Sequence, residues 1–181
     1  NSADLKDSIK NNKISIILHI EGAEAISSNF DSLEILYSLG LRSIGPVWSR
    51  PNIFAHGVPF NFPSTPDTGP GLTSLGKELI KKCNNLNIVI DLSHLNEKGF
   101  WDVAKISNKP LVATHSNAHE ICPHSRNLTN KQLQAIKDSD GIVGLNLATA
   151  FLRPDGKMEE DTDLENLLRH FDHLINFLGE D

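Results

Sequence analysis

Three short segments of the chain end in side chains of the kinds that ligate metals: "HIEG" at 19–22, "DLSH" at 91–94 and "ATHS" at 113–116. Each lies at the end of an apolar run suited to a β-strand, so Glu21, His94 and His115 would project from three strand ends. One carboxylate and two imidazoles suit zinc or a similar divalent ion. Their separation in sequence is no obstacle, because parallel α/β folds gather the C-terminal ends of their strands at one mouth. Singly, each residue reads equally well as a helix cap or a histidine at the edge of a core. Their coincidence at three strand ends is what favours a site.

The stretch "VATHSNAHEICPHSRN" at 112–127 offers a competing arrangement, since His115 and His119 have the spacing of a helical zinc pair. Ser116 stands where such a motif carries its glutamate, and Pro123 interrupts any helix running on to His124. His119 and His124 therefore read as loop polarity or as hydrogen-bond partners of ligands. His19 shares the strand face of Glu21 and reads as barrel interior, with a ligand role as the alternative. Asp91 either orients a metal-bound imidazole or accepts hydrogen bonds from nearby backbone and serine. Asn117 and Asn127 read as partners of loop backbone groups, and His170 and His173 as part of the solvated side of the last helix. "DTGPG" at 67–71 has the glycines of a phosphate loop without its lysine or its strand–loop–helix setting.

The elements that must position these residues alternate. Strand-like runs are "ISIILHI", "RSIGPV", "NIVIDLSH", "PLVATHS" and "GIVGLNLA". Between and after them fall helical patterns at "FDSLEILYSLG", "TSLGKELIKKCNNL", "NEKGFWDVAKIS", "TNKQLQAIKDS" and "DTDLENLLRHFDHLINFLG". Cap candidates are Asn29 or Asp31, Thr73 or Ser74, and Thr129. In the last helix Leu164, Leu167, Leu168, Phe171, Leu174, Ile175 and Leu178 fall on one side. A long irregular stretch from Trp48 to Leu72 holds Pro51, Pro59, Pro63, Pro66 and Pro70. Five strands alternating with helices indicate a parallel sheet, either open and doubly wound or part of a (β/α)8 barrel. A complete barrel needs about 250 residues, so 181 would make an incomplete one.

Composition narrows the function. With 17 basic and 23 acidic residues the net charge is −6, which provides no footprint for nucleic acid. No apolar run approaches the roughly 20 residues of a transmembrane helix. Cys83 and Cys122 read as reduced thiols, which favours a cytoplasmic location. The first residue is Asn1 rather than Met, as expected of an excised or processed segment.

The motifs "IEGAEAI", "GLRSIGPVW", "GLTSLGKELI", "VIDLSH", "THSNA", "SRNLT" and "HFDHLINFLG" resemble, in order, those of the membrane (renal) dipeptidase family of zinc metallopeptidases, in its bacterial form. The resemblance runs from Lys13 to Gly179. It implies a (β/α)8 barrel holding two zinc ions and cleaving dipeptides with a metal-bridging water. Glu21 would bridge both metals, His94 and His115 would ligate the second, and Arg126 in "SRN" would contact the substrate carboxylate through its planar fork. Trp48 stands where the family has a substrate-contacting histidine, and His56 in the same loop is a further candidate for the substrate mouth.

The family's His-x-Asp pair has no counterpart before Glu21. The literal match His170-Phe171-Asp172 lies in a helix, where residues two apart do not share a face. The aspartate of the final strand is also absent, the chain ending at "LGED". The expectation is a single catalytic-domain segment, 1–181, holding about strands three to seven of eight. It would be truncated at both ends, with exposed sheet edges, and inactive outside the full-length protein. A homodimer is a further expectation. The alternatives are another barrel metallohydrolase acting on a cyclic amide or ester, and a metal-free homologue serving as a binding or structural module.

Overall fold

The computed structural model describes residues 2–179. The elements run α1 (Ser2–Lys10), β1 (Leu18–Glu21), α2 (Asp31–Ser38), β2 (Leu41–Gly45), α3 (Ser74–Leu86), β3 (Val89–Ile90) and α4 (Glu97–Ile106). They continue with β4 (Val112–Ala113), α5 (Asn130–Asp138), β5 (Ile142–Val143), α6 (Thr149–Leu152) and α7 (Leu164–Leu178).

All strand pairs are parallel, β1 with β2, β2 with β3, and β4 with β5. The two groups join at a single bridge between Asp91 and Val112, where the Leu92 N–H donates to the Val112 carbonyl at 2.8 Å. The strand order is therefore the chain order, as in an arc of a (β/α)8 barrel.

Register assigns the two faces. Ile20, Ile44, Ile90, Ala113 and Val143 lie on the outer face, packed into the core beneath the helices. Their alternates His19, Glu21, Ser43, Val89, Val112 and Ile142 line the inner face. Val89 and Ile142 remain 43% and 64% exposed there, so the apolar lower layer of the inner face is open.

The helices follow from local rules. In α3 the buried Gly76, Leu79, Ile80 and Cys83 recur at helical spacing. Thr73 caps it by accepting the Gly76 N–H, and Asn96 caps α4 in the same way from Gly99. Thr129 and Gln132 form a reciprocal capping box at α5. Asp163 accepts the Asn166 N–H at the start of α7.

Three expectations are corrected, on the first strand, the cap of α2 and His170. The first strand begins at Leu18 rather than Ile14, and Ile14, Ile16 and Ile17 are exposed. Its partner β2 starts only at Leu41, after Gly40 at φ 109°, so no ladder exists for the earlier isoleucines to join. Phe30, in a left-handed conformation, takes the N-cap place of α2, while Asn29 lies one residue earlier, accepting the Asp31 N–H at 3.3 Å and donating to the Asp31 carboxylate at 2.6 Å. The leucine side of α7 is only partly covered: Leu174 is buried, whereas Leu164, Leu168 and Phe171 are exposed. His170 does not face solvent, because it is fully enclosed. Its Nδ1 accepts the Ala118 N–H and its Nε2 donates to the Leu152 carbonyl, each at 3.0 Å. Helical periodicity counts this histidine as polar and outward, but two backbone groups that would otherwise be orphaned draw the ring inward.

Candidate metal centre

Glu21 is the last residue of β1, and the chain turns immediately at Gly22, whose φ of 96° a side chain would oppose. The turn is held by the Gly22 N–H donating to the Gly45 carbonyl at 3.1 Å. Glu21 Oε1 lies 3.1 Å from His94 Nε2 and 3.0 Å from His115 Nε2. The two Nε2 atoms are 3.0 Å apart. The ligand atoms of these three residues all fall within 4.8 Å of one another, and the cluster bridges the ends of β1, β3 and β4.

Each imidazole is fixed from behind. His94 Nδ1 is 2.8 Å from Ser49 Oγ, and His115 Nδ1 is 2.8 Å from Thr114 Oγ1. The Thr114 hydroxyl donates to Asp91 Oδ2 at 2.5 Å, which leaves it to accept the Nδ1 proton of His115. The buried Asp91 also accepts the Thr114 N–H at 2.9 Å, the Ser93 N–H at 3.1 Å and the Ser93 hydroxyl at 2.6 Å. Arg126 Nη2, which can only donate, faces His94 Nε2 at 3.4 Å, so Nδ1 carries the proton on that ring as well and both Nε2 lone pairs are left free on the side of the Glu21 carboxylate. Three lone pairs aimed at one point repel one another, and a divalent cation is the species that satisfies them. The donor set therefore fits a metal of the zinc type.

Electrostatics agree with that use. Burial, then Arg126 and His115, push His94 down to about 3. Burial and Arg126 likewise lower His115. Both rings are neutral at pH 7, the protonation state that ligates. Burial alone would raise Asp91, but its hydrogen bonds from Ser93 and Thr114 outweigh that and hold it below the ordinary carboxylate range.

Arg126 lies behind the two imidazoles and is only 3% exposed. It donates from Nη1 to the Ser93 carbonyl and from Nη2 to the His115 carbonyl, the latter at 3.2 Å, with Nη2 3.4 Å from His94 Nε2. Its Nε has no hydrogen-bond partner among the described residues. Burial brings Arg126 down to about 10, with Asp91 and Glu21 acting in the opposite sense, so it remains a cation at pH 7. The buried His124 accepts the Arg126 N–H at 3.1 Å and is lowered to about 4 by burial, then by Arg126 and His119.

The remaining sequence candidates separate. His19 bonds through Nδ1 to Ser43 Oγ at 2.9 Å, with its Nε2 3.9 Å from Asp91, and stands apart from the ligand cluster. His119 Nε2 reaches the Ser64 carbonyl at 3.0 Å. Asn117 donates to the Asn146 carbonyl and Asn127 to the Cys122 carbonyl, each at 2.9 Å, the loop-backbone role expected of them, and both also reach the Phe151 carbonyl in α6. Trp48 places its ring 5.9 Å from that of His94, whereas His56 is half-buried and accepts the Asn96 N–H through its backbone. Ser49, Ser93 and Thr114 were not singled out. Thr114 and Ser93 sit inside the quoted strand-end motifs, where a hydroxyl beside a ligand histidine was the available signal, while nothing marks Ser49 in its loop.

A parallel α/β arc with two imidazoles and a carboxylate converging at its strand ends defines a barrel protein with a candidate metal centre. Residues 1–181 match the family described as membrane dipeptidase (peptidase family M19), and the chain belongs to that family. It is 51% identical over 173 residues to an uncharacterized protein in the PQQ-III 3' region of Acinetobacter calcoaceticus, a match covering 96% of this chain and 55% of that one. It is similar, at 56% identity and TM-score 0.97, to a metallo peptidase from Rhodobacter sphaeroides solved with a phosphinate mimic of the dipeptide L-Ala-D-Ala. That match covers 99% of this chain and 51% of the other. An amidohydrolase from Pseudomonas aeruginosa shares the fold at 24% identity and TM-score 0.86, covering 100% of this chain and 52% of that one. The chain thus spans about half the length of these relatives. Among the described residues, no helix is long and apolar enough to cross a membrane.

Proposed function

We propose that residues 1–181 form part of the catalytic barrel of a zinc-dependent dipeptidase, with Glu21, His94 and His115 as metal ligands and Arg126 as the anchor of the substrate carboxylate. The observation that carries this reading is the convergence of the three ligand atoms within 4.8 Å in front of a buried guanidinium. A metal held there supplies Lewis-acid polarisation of the peptide carbonyl and activation of water. The rest is done by the chain. Ser49 and Thr114 hold the imidazoles in one tautomer, and Asp91 orients Thr114. Glu21, the most open of the three ligands, carries the negative charge that balances the cation. Arg126 offers its unpaired Nε–H to a carboxylate and places positive charge beside the mouth. Family membership and the dipeptide mimic bound by the Rhodobacter sphaeroides relative support the choice of substrate. The second zinc ion of the family site would need ligands beyond these three.

The test is metal analysis of the full-length gene product, coupled to hydrolysis of alanyl-D-alanine. Two zinc ions per chain and turnover are expected, and Glu21→Gln should lower both bound metal and kcat by at least about 100-fold. A protein that binds no metal and leaves the dipeptide intact would refute the reading in favour of a binding module.

A further inference from the structure

The segment 58–64 crosses the mouth between His94 and Arg126 and is fastened at both ends. The Val58 N–H donates to the His94 carbonyl at 2.9 Å. On the other side Asn61 and Ser125 exchange hydrogen bonds, with the Asn61 N–H on Ser125 Oγ and the Ser125 N–H on the Asn61 carbonyl, both at 3.2 Å. The Ser125 hydroxyl also donates to the Pro59 carbonyl, and the Ser64 N–H to the Pro123 carbonyl at 2.9 Å. Between these fastenings Phe60 is 52% exposed, whereas the core aromatics Phe54 and Phe100 are fully enclosed.

Its ring is placed by two others. Trp48 meets it edge-on at 5.5 Å, and Phe151 lies 5.7 Å away. Trp48 in turn lies against the ring of His94, and the Arg126 guanidinium sits 5.4 Å from the Phe151 ring. A continuous aromatic wall therefore runs from a proposed metal ligand to the proposed carboxylate anchor. A rigidly held apolar ring left half open beside a polar centre is how binding sites present an apolar surface to a ligand. At the anchor end the wall carries the Arg126 cation over Phe151, which disfavours a basic side chain there, while Arg50, 5.9 Å over Trp48, is paired with Glu24 at 3.0 Å.

We infer that Phe60, braced by Trp48 and Phe151, is a specificity-determining residue that takes an apolar side chain of the substrate dipeptide. The inference rests on the dipeptidase reading and deepens it. Half-exposed as it is, Phe60 can be truncated without opening the core, and Phe60→Leu keeps an apolar contact as the conservative control. The experiment measures kcat/KM of the metal-loaded full-length gene product on leucylglycine, glycyl-leucine and glycylglycine. For at least one leucine-containing substrate, Phe60→Ala should reduce its preference over glycylglycine about 10-fold, the scale on which a few missing apolar contacts are felt. Phe60→Leu should restore most of that preference. Hydrolysis of all three with unaltered ratios in Phe60→Ala overturns the subsite and leaves the dipeptidase reading standing. Failure of the wild-type protein on all three while it cleaves alanyl-D-alanine overturns the subsite alone, and failure on alanyl-D-alanine as well overturns both.

Discussion

Replacing His170 with leucine removes an imidazole that serves two buried backbone groups while keeping an apolar side chain of comparable size. The Ala118 N–H and the Leu152 carbonyl each lose a bond of 3.0 Å in a fully enclosed position. An orphaned buried group costs about 1–3 kcal/mol, so the pair should cost about 2–6 kcal/mol. Set against the 5–15 kcal/mol typical of a domain, that is a severe loss. The effect also has a pH signature. Burial lowers His170 below its ordinary value of 6.5 against the opposing bond to the Leu152 carbonyl, with His173 and Arg169 adding to the lowering, and only the neutral ring can accept the Ala118 N–H. A base depressed in the folded state contributes in full above about pH 6.5, and that contribution falls as pH drops toward the folded value. The wild-type advantage should therefore be smaller at pH 5.5 than at pH 7.5. Urea unfolding of both proteins at pH 7.5 and 5.5 measures this, and the difference between them cancels the similar acid response of His94, His115 and His124. A gap under about 0.5 kcal/mol at pH 7.5, or one that widens on acidification, refutes the reasoning.

Other outcomes follow from the same geometry. Thr114→Val removes the hydroxyl between Asp91 and His115 and should weaken metal binding about 10- to 100-fold, read by competition with a chromophoric chelator. Cys83 is pushed up to about 12 and Cys122 to about 11, both mainly by burial, so neither should react with a thiol reagent at pH 8 until the protein is unfolded. Rapid labelling of the native protein would contradict that placement.

The parallel alternation and the strand-end positions of Glu21, His94 and His115 were legible in the sequence, because apolar runs ending in Glu or His carry both period and chemistry. Less legible was anything set by a partner distant in sequence. The reach of β1 depended on where β2 begins, which "ISIILHI" cannot report. The inward turn of His170 depended on orphan groups at Ala118 and Leu152, invisible to a helical periodicity that counts histidine as polar. Ser49 acts on His94 across 45 residues, and Phe60 acquires meaning only from the hydrogen bonds that fasten its segment beside Ser125. α6, with four residues, was too short to show a period.

Asp91 occupies a position with two owners. It is the residue through which β3 meets β4, at the bridge to Val112, and it is also the acceptor that steadies Thr114 and thereby His115. A relative lacking Glu21 keeps every hydrogen bond described across the seam, whereas one lacking Asp91 loses both side-chain bonds to Thr114 and keeps the backbone bond from Leu92 to Val112. An aspartate at this place in an otherwise depleted relative is therefore a relic of architecture rather than a sign of surviving activity. Glu21, which the seam can spare, is the more truthful witness.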